Sequence, residues 1–527
     1  MFRTTKRQGK MKIVFRTDAS HQIGTGHVIR CLTLAKALRQ RGAKCKFVCR
    51  ALEGNLLKRI QQEDFEVFAL PQSSIPNSTK KPHEKLPAHS EWLGAGWQTD
   101  AEQTIAALGN IRPDWLVVDH YSLDASWNRA LRPYCTKILV IDDIADRDHD
   151  CDLLLDQNLV ADMSQRYDMR VPAHCGRMLG TDYALLQPQY AELCHRTPPR
   201  MGPIHRILVF VGGADNYNLT GRAISAFLSL KRPDISLDVV INPASRHAME
   251  IHEQARTHVG ITLHETLPSL APLMLKADLA IGAGGTTSWE RCCLGLPSIV
   301  VTLAENQTPI AAELNRQGYI RWLGHQDNVS ESTLKAALQD VLEGACLADW
   351  SLRCMKLVDG RGTERVATIL SLNSETDLKV RFAQLNDEAL LLHWANDPLV
   401  RQNAFNPTAI DSENHRCWFH KRLRNPENYK IYIVEAEGIL PIGVVRFEKT
   451  GQDWEIHYSL SSLARSRGIG LPMLKTALTK FSKTVGQDNI FGRVKIENKT
   501  SQRIFKKLGF VETKSDFELT YRFRERV

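Results

Sequence analysis

The sequence lacks any long uncharged apolar run. Its longest hydrophobic stretches, such as 207–211 and 298–303, have the length of β-strands, whereas a membrane-spanning helix needs about 20 apolar residues. The basic first ten residues are followed by a charged, strand-like segment and not by the apolar core of a secretory signal. We therefore expect a cytoplasmic protein that does not associate with membranes.

Cysteine pairs with the spacing of zinc ligands are also missing. The chain has 12 cysteines but no C-x-x-C pair, which disfavours a zinc site or a disulfide framework and suits a reducing compartment. We predict no metal site. The mixture of 43% hydrophobic and 24% charged residues is typical of globular proteins, and a chain of 527 residues predicts three or four domains at about 150 residues each.

Positive charge is concentrated in the last third of the chain. Residues 379–527 hold 25 Lys and Arg against 17 Asp and Glu, so this region carries nearly all of the net charge of +9. No aromatic-rich RNA motif or zinc finger accompanies the charge. We therefore expect a small anionic ligand and no nucleic acid partner.

The order of strand-like and helix-like segments predicts three domains. Between residues 11 and 200, short β-rich runs alternate with helical patterns, as in the βαβ units of a parallel sheet. A second series of the same kind spans 201–372. The polar segment 359–377 is predicted to connect it to the third domain. Residues 378–527 contain consecutive strands, which predict an α+β domain with a mostly antiparallel sheet.

The loop after the first strand contains a candidate catalytic histidine. Gly24 and Gly26 lie where a helix begins, and glycines there let the backbone approach a ligand. A helix N-terminus disfavours a charged imidazole, so His27 is expected to be neutral and able to take a proton from water. Asp18 could orient the imidazole, or could instead bond backbone amides of the turn. The alternative role for His27 is a helix cap.

Further candidates follow the ends of later strands, where open α/β sheets bind their ligands. Two glycine-rich loops of the second domain predict a cradle for a diphosphate. A glutamate one turn into the following helix could accept hydrogen bonds from ribose hydroxyls. Polar residues in such loops can equally be strand-end caps or turn formers. The candidates are Tyr121, Gly213, Gly284, Gly285, Thr286, Glu290, Asn306 and Gln307.

Several of these segments resemble one family. The strings RTDASHQIGTGHVIRCLTLAKAL, VVDHYSLD, VGGAD, GAGGTTSWE and AENQ, in this order, are similar to segments of the UDP-sugar hydrolases of pseudaminic acid biosynthesis, which are relatives of the glycosyltransferase-B enzymes. The resemblance covers about residues 11–360. It implies two Rossmann-like domains in a glycosyltransferase-B arrangement, and metal-independent hydrolysis of UDP-2,4-diacetamido-2,4,6-trideoxy-β-L-altropyranose to UDP and the free sugar.

The resemblance also implies roles for particular residues. His27 would be the base that activates water, with Tyr121 and Asn306 as its neighbours in the cleft, and Glu290 would bind the ribose. Because UDP is a good leaving group, one base can suffice without the second carboxyl group that glycosidases use. Direct attack by water would invert the anomeric centre.

The third domain resembles the GNAT acetyltransferases. The run Arg465-Ser466-Arg467-Gly468-Ile469-Gly470 matches R/Q-x-x-G-x-G/A, the loop that holds the pyrophosphate of coenzyme A in that family through backbone N–H groups and positive charge. Asn498 and Ser501, upstream of Gly509-Phe510, match the second cofactor-binding segment. The resemblance covers residues 379–527 and implies acetyl-CoA as the co-substrate.

Acetyl transfer to an amine needs a base for the amine and a proton donor for the departing thiolate. Glu455 and His457 are two residues apart in the strand before the glycine loop and so lie on the same face of it. Either could be the base that takes the proton of the amine through water; the alternative is that both are exposed strand residues without a catalytic role. Many relatives use a tyrosine at the position of Phe505 to protonate the thiolate, and phenylalanine cannot do so. Tyr458 points to the opposite strand face from Glu455 and His457, so the sequence assigns no acid.

Together these patterns predict a bifunctional enzyme. The third domain would acetylate the 4-amino group of a UDP-amino sugar, and the first two domains would hydrolyse the product. Two alternatives stay open: a glycosyltransferase that releases UDP only when an acceptor is present, and a non-catalytic nucleotide-sugar sensor, which the missing tyrosine favours. The identity of the sugar comes from the resemblance alone.

Overall fold

The computed structural model describes residues 10–72, 87–212, 215–243, 245–256, 258–265, 267–344, 346–485, 489–514 and 518–523. The chain forms two compact units, which we call unit 1 (residues 1–367) and unit 2 (residues 368–527). None of the helices within the described residues is both long and apolar enough to cross a membrane.

The first domain of unit 1 is built on a parallel sheet. Its central strands are rich in Val, Ile and Leu and are buried except at Lys137, as expected where helices cover both faces. The strands are β1 (Lys12–Thr17), β2 (Lys44–Arg50), β3 (Glu66–Leu70), β4 (Trp115–Asp119), β5 (Lys137–Ile141), β6 (Leu153–Asp156) and β7 (Gly176–Leu179). The helices are α1 (Gly26–Gln40), α2 (Leu57–Gln62), α3 (Trp97–Leu108), α4 (Ala125–Leu131) and α5 (Gln189–Arg196).

The second domain of unit 1 repeats this plan. Its strands are β8 (Arg206–Phe210), β9 (Ser236–Ile241), β10 (Ile261–Glu265), β11 (Leu279–Ala283), β12 (Ser298–Thr302) and β13 (Arg321–His325). Its helices are α6 (Leu219–Leu228), α7 (Ala248–Arg256), α8 (Ala271–Lys276), α9 (Thr287–Cys293), α10 (Thr308–Arg316), α11 (Glu331–Gly344), α12 (Leu347–Leu357) and α13 (Gly362–Ser371).

The strand orders show where ligands can bind. The first sheet runs β3-β2-β1-β4-β5-β6-β7 and the second β10-β9-β8-β11-β12-β13, with parallel neighbours throughout. Each order reverses once, between β1 and β4 and between β8 and β11, and open α/β sheets bind ligands outside the carboxyl ends of the strands at such a point. The predicted pair of Rossmann-like domains is confirmed.

The segment 359–377, which we expected to be a polar connection to the third domain, contains helix α13. Its apolar residues Val366, Ala367, Ile369 and Leu370 are at most 2% exposed. The hydroxyl of Thr363, near the start of the helix, donates to the carbonyl of Leu186 in the first domain. Buried apolar residues therefore make this stretch helical although its composition is polar.

Unit 2 is an α+β domain with one mixed sheet. Its strands are β14 (Leu378–Phe382), β15 (Tyr429–Ala436), β16 (Leu440–Thr450), β17 (Asp453–Leu460), β18 (Ile490–Lys495), β19 (Phe510–Lys514) and β20 (Glu518–Phe523). Its helices are α14 (Glu388–Ala395), α15 (Pro398–Asn403), α16 (Ser412–Leu423), α17 (Gly470–Val485) and α18 (Lys499–Lys507). The sheet order is β14-β15-β16-β17-β18-β20-β19, antiparallel except between β17 and β18. The predicted mostly antiparallel sheet is confirmed.

A buried ionic network supports the loop that follows β1. Asp100 of α3 accepts hydrogen bonds from the guanidinium groups of Arg16 and Arg50, each at 2.6 Å, and from the indole of Trp127 at 3.0 Å. Arg16, Arg50 and Asp100 are fully buried. Arg16 also contacts Asp18 at 2.6 Å, so the network ends at the first residue after β1.

We predict that Asp100→Ala lowers the free energy of unfolding of unit 1 by about 3–5 kcal/mol, because it leaves two buried guanidinium groups without their shared carboxylate. Urea unfolding followed by tryptophan fluorescence measures the change. Glu102→Ala, an exposed position on the same helix, is the control and should change the free energy by no more than about 0.5 kcal/mol. Equal stability of the two variants would contradict the prediction.

Candidate active sites

His27 lies at the start of α1, where the sheet order of the first domain reverses. Its ring is 6% exposed, and its Nδ1 lies 2.6 Å from Oδ1 of Asp119, the last residue of β4. Thr17 of β1 and Asp119 of β4 are paired in register, so the loop after β1 and the end of β4 are adjacent. This topology therefore brings the imidazole of His27 and the carboxylate of Asp119 together.

Arg30 completes this pair from one turn further along α1. Its guanidinium contacts both oxygens of Asp119, at 2.6 and 2.7 Å, and Asp143 at 2.8 Å. Burial by itself raises the pKa of Asp119, but the charges of Arg30 and His27 outweigh it and hold that pKa well below its usual range. Asp119 is thus an ionised acceptor, so Nδ1 of His27 carries the proton in this contact.

Asp18 does not orient His27 in the way that we considered from the sequence. Its carboxylate pairs with Arg16 at 2.6 Å, accepts a hydrogen bond from the backbone N–H of Arg50 at 2.6 Å, and lies 3.3 Å from His120. Asp18 thus binds a backbone amide, but this amide belongs to β2 and not to the turn considered from the sequence. The carboxylate that contacts His27 is Asp119, because β4 and not the strand before the loop faces the start of α1.

Aromatic side chains flank His27 on one side. The ring of Tyr121 meets the imidazole edge-on, with 4.6 Å between centroids, and burial raises the pKa of its phenol well above the usual value. His89 and Trp92 pack against Tyr121 at 5.5 and 5.9 Å, and both are half-buried. We call His89, Trp92 and Tyr121 the aromatic wall.

Glycine loops of both domains meet beside His27. A Cβ placed on Gly26 would lie 3.8 Å from the hydroxyl of Thr286, at the end of the loop that joins β11 to α9. Gly24 has a positive φ of 79° and its N–H donates to Ser20, which closes the turn before α1. Gly285 has open space where a Cβ would lie. Gly213, predicted for the other loop, lies outside the described residues.

The remaining candidates of the second domain lie around the same loop. Glu290, in α9, is half-buried beside Tyr190; burial raises its pKa to about 7, against smaller opposing effects of Tyr190 and Arg291. The side chain of Gln307 accepts a hydrogen bond from the N–H of Leu303 at 2.9 Å, and its Oε1 lies 3.4 Å from the Cβ position of Gly284.

Asn306 precedes Gln307 in a short 3₁₀ turn and is half-buried. It therefore lies at the carboxyl edge of the second sheet, next to the residue whose side chain approaches Gly284.

In unit 2, the loop between β17 and α17 has the backbone of an anion-binding turn. Ser466 and Gly468 have positive φ angles of 58° and 75°, and alternation of left- and right-handed residues points successive N–H groups into one concave surface. Gly470 begins the 16-residue helix α17, whose first turn holds no acidic residue. Arg467 is half-buried between the two left-handed residues.

Arg465 has a different position from the one expected. Its guanidinium pairs with Asp397 at 2.8 Å and donates two hydrogen bonds to the carbonyl of Leu460, at 3.0 and 3.2 Å. The charge of Arg465 is thus balanced inside the domain, and the side chain fixes the end of β17 to the start of the loop. The contact of Arg465 with a diphosphate stays a prediction.

The sheet of unit 2 opens beside this loop. β17 pairs with β16 along its whole length but with β18 only at Trp454 and Glu455. Within the described residues, 456–460 are therefore not paired with β18, which leaves a gap between the two strands where an extended ligand could lie. On one side of this gap, Asn498 caps α18 by accepting from the N–H of Ser501 at 3.1 Å.

Glu455 and His457 lie on the other side of the gap. Glu455 is 8% exposed and accepts a hydrogen bond from Arg493 at 2.7 Å. His457 lies 3.7 Å from Glu455. Burial, helped by Arg446, lowers the pKa of His457 to about 4, so its imidazole is neutral at pH 7 and can accept a proton.

Two sequence families match parts of the two units. Residues 377–511 match the sequence family described as Acetyltransferase (GNAT) domain. Unit 2 is a GNAT acetyltransferase domain. Residues 206–349, most of the second domain of unit 1, match the family described as Glycosyltransferase family 28 C-terminal domain.

Individual proteins resemble either the whole chain or unit 1. An uncharacterized protein of Methanocaldococcus jannaschii is 22% identical over 519 residues, which are 96% of this chain and 98% of that protein. The UDP-2,4-diacetamido-2,4,6-trideoxy-beta-L-altropyranose hydrolase of Campylobacter jejuni is 24% identical over 310 residues, 59% of this chain and 98% of that protein. Unit 1 is thus related to UDP-sugar enzymes. Among solved structures, MurG of Acinetobacter baumannii aligns with 69% of this chain and 99% of its own, with 15% identity and a TM-score of 0.48.

Sequence reasoning missed four residues around His27. Asp119 ends a strand at the edge where ligands are expected, but the sequence did not pair it with His27, and Arg30 lies on the same helix as His27, one turn away. The strand order 3-2-1-4-5 of Rossmann folds could have placed Asp119 beside the loop after β1. Trp92 lies in a single 3₁₀ turn and His89 directly precedes it. Such a turn has too few residues to show a periodic sequence pattern.

For the GNAT domain we predict that Gly468→Ala weakens coenzyme A binding about tenfold. A non-glycine residue in the left-handed region costs about 1–2 kcal/mol, and the loop can relieve that cost only by turning its N–H groups away. Gly451→Ala is the matched control, because Gly451 has a similar φ of 64° and open space where a Cβ would lie, but belongs to the β16–β17 hairpin. Titration calorimetry with coenzyme A measures both; equal affinities would contradict the prediction.

Proposed function

We propose that the chain is bifunctional. Unit 1 hydrolyses UDP-2,4-diacetamido-2,4,6-trideoxy-β-L-altropyranose to UDP and the free sugar, and unit 2 transfers the acetyl group of acetyl-CoA to the 4-amino group of the precursor UDP-amino sugar. The sugar is taken from the similarity of unit 1 to the Campylobacter jejuni hydrolase. The class of reaction is supported by the residues themselves.

The observation that carries the hydrolase proposal is the His27–Asp119 pair opposite Thr286. A histidine whose Nδ1 proton is held by an ionised carboxylate at 2.6 Å has its other nitrogen available as a base. The glycine loop that ends at Thr286 approaches Gly26, the residue before His27. A UDP-sugar held by that loop would place its anomeric carbon between the second domain and the imidazole.

The proposed reaction needs one proton transfer on the enzyme. Nε2 of His27 takes a proton from water as the water oxygen bonds to the anomeric carbon, and the bond from that carbon to the diphosphate oxygen breaks with its electron pair on UDP. The imidazole then releases the proton to solvent. Backbone N–H groups around Gly284 and Gly285 would stabilise the negative charge on the departing diphosphate, and attack from the opposite side would invert the anomeric centre.

The surroundings of His27 fit a deoxy sugar that carries acetamido groups. Such a sugar has methyl groups and few hydroxyls, and the aromatic wall supplies an apolar surface beside the base. Glu290, in the helix after the glycine loop, is proposed to accept hydrogen bonds from the two ribose hydroxyls.

Unit 2 supports acetyl transfer to an amine. The Ser466–Gly468 turn and the start of α17 would hold the diphosphate of coenzyme A, and the gap beside β17 would hold its extended arm. His457, neutral at pH 7, is proposed to collect the proton of the attacking amine directly or through water, with Glu455 and Arg493 fixing its surroundings.

We predict that His27→Asn stops the reaction sequence after acetylation. In one tube with the UDP-4-amino sugar and acetyl-CoA, the wild-type chain should give UDP and the free diacetamido sugar. The variant should accumulate the acetylated UDP-sugar, with hydrolysis slowed about 10²- to 10⁴-fold, the usual contribution of a general base. Proton NMR follows the amino sugar, the acetylated UDP-sugar and the free sugar together, and identifies the anomer first released.

His174→Asn, at an exposed histidine of the same domain, is the control and should behave as wild type. Undiminished hydrolysis by His27→Asn would remove His27 from the mechanism. Release of UDP only after an acceptor sugar or lipid is added would favour a glycosyltransferase, and binding of both ligands without turnover would favour a sensor.

We predict that UDP affinity falls as the pH drops through about 7. Above this pH the carboxyl group of Glu290 is ionised and can accept from both ribose hydroxyls; below it the group gains a proton and loses one acceptor site. The loss of one charge-assisted hydrogen bond predicts about tenfold weaker binding at pH 6 than at pH 8. Titration calorimetry with UDP measures the effect.

Glu290→Gln should remove most of this pH dependence, because a glutamine does not titrate, while the ionisation of UDP itself is common to both proteins. Glu343→Gln, at an exposed position of α11, should keep the wild-type profile. A profile unchanged by Glu290→Gln would exclude Glu290 as the ribose ligand.

A further inference from the structure

Phe505 occupies the position at which many GNAT enzymes have their proton-donating tyrosine, and its surroundings hold it in the core. The ring is 1% exposed and stacks on Tyr521 with 5.3 Å between centroids. Its Cζ lies so close to β18 that a Cβ on Gly492 would come within 2.6 Å of it. Phe505 therefore has neither a proton to donate nor freedom to move towards the gap.

A neighbouring tyrosine reaches the same region from β17. The ring of Tyr458 lies 6.1 Å from that of Phe505, edge to face, and its hydroxyl donates a hydrogen bond to Oγ of Ser501 at 2.8 Å. Ser501 belongs to the first turn of α18, the segment that matches the cofactor-binding motif. The phenol is half-buried, so a ligand in the gap can reach it.

The two faces of β17 separate the proton acceptors from this donor. Glu455 and His457 project from one face, towards Arg493 and Arg446. Tyr458 projects from the other, towards α18. Because β17 and β18 pair only at Trp454 and Glu455 among the described residues, a thioester lying in the gap beyond those pairs would have the base on one side and the phenol on the other.

We propose that Tyr458 is the proton donor to the departing thiolate in unit 2, in place of the tyrosine that Phe505 replaces. The amine nitrogen bonds to the thioester carbonyl carbon, and its proton passes to His457 directly or through water. The carbon–sulfur bond breaks with its electron pair on sulfur, and the Tyr458 hydroxyl turns from Ser501 and gives its proton to that sulfur. Solvent returns a proton to the phenolate and removes one from His457, so the products are the amide and coenzyme A.

The protonation state of Tyr458 is suitable for this role. Burial raises the pKa of its phenol to about 12, although the contact with Ser501 opposes the rise. The group therefore holds its proton throughout the neutral pH range, as a donor must before the carbon–sulfur bond breaks.

Tyr458→Phe tests the proposal in the full-length chain with acetyl-CoA and the UDP-4-amino sugar. We expect kcat to fall about 100-fold, the lower part of the range for general acid–base catalysis because a thiolate is only weakly basic, with little change in the KM for acetyl-CoA. Tyr432→Phe, at a fully buried tyrosine of β15, is the control and should keep the wild-type kcat. An unchanged kcat for Tyr458→Phe overturns the proposal.

A second measurement does not depend on the acceptor, which rests on the proposed function. With coenzyme A bound, the carbon NMR shift of the labelled methylene next to sulfur reports ionisation of the thiol as the pH is varied. A phenol that donates to sulfur stabilises the thiolate, so we expect about tenfold more thiolate at a given pH in the wild type than in Tyr458→Phe, a difference of about one pKa unit. Equal ionisation in both overturns the proposal.

Ser501→Ala separates donation from a merely structural contact. This variant breaks the same hydrogen bond but keeps the phenol, so at saturating coenzyme A the ionisation of the bound thiol should change less than in Tyr458→Phe. Thiol ionisation that shifts equally in Ser501→Ala and Tyr458→Phe would overturn the proposal. The hydrogen bond between Tyr458 and Ser501 would then have only a structural role. If the wild type binds coenzyme A but does not acetylate the UDP-amino sugar, the proposed acceptor is wrong, and the thiol comparison still decides the role of Tyr458.

Discussion

A buried carboxylate at the end of β4 organises the site of unit 1. Asp119 is fully buried, and burying an unpaired charge costs several kcal/mol. Arg30 and His27, separated by one turn of α1, share that charge at 2.6 Å each. A single carboxylate therefore fixes the rotation of α1 about its axis, the position of the imidazole and, through Arg30 and Asp143, the end of the next strand. The glycines before His27 give the loop its path, whereas Asp119 determines where the imidazole lies.

The fold of unit 1 was predictable from local pattern, and its site only in part. Alternating β-rich and helical segments predicted two parallel sheets, because strands buried on both faces read as continuous apolar runs. The same pattern predicted that His27, Glu290 and the glycine loops lie at strand ends. It did not predict which carboxylate meets His27, since Asp18 is nearer in sequence and Asp119 is nearer in space only because β4 is inserted beside β1. His89 and Trp92 depend on the packing of a segment without a regular pattern.

Unit 2 illustrates the same limit. The glycine loop and the Asn498–Ser501 segment were recognisable because their backbone geometry needs particular residues in order. The position of Arg465 was not, because its partner Asp397 lies 68 residues earlier in the chain, at the start of a helix that the sequence did not predict. The sequence also does not predict where two neighbouring strands stop pairing. The gap beside β17 follows from the register of β17 and β18, which pair at only two positions.

In both units, the surroundings of a side chain decide whether it holds its proton. In unit 1, the ionised state of Asp119 determines that the imidazole proton is on Nδ1, and Arg30 balances the charge of that carboxylate, so Asp119 orients the ring without having to act as a base itself. In unit 2, burial keeps His457 without a proton and Tyr458 with one, on opposite faces of the same strand. The proposed donor and acceptor thus keep complementary protonation states at neutral pH because neither is well solvated. A helix N-terminus, which the sequence suggested as the main influence on His27, contributes typically 0.3–1 kcal/mol. That is smaller than the effect of a buried ion pair, so the pairing at the strand end controls the site.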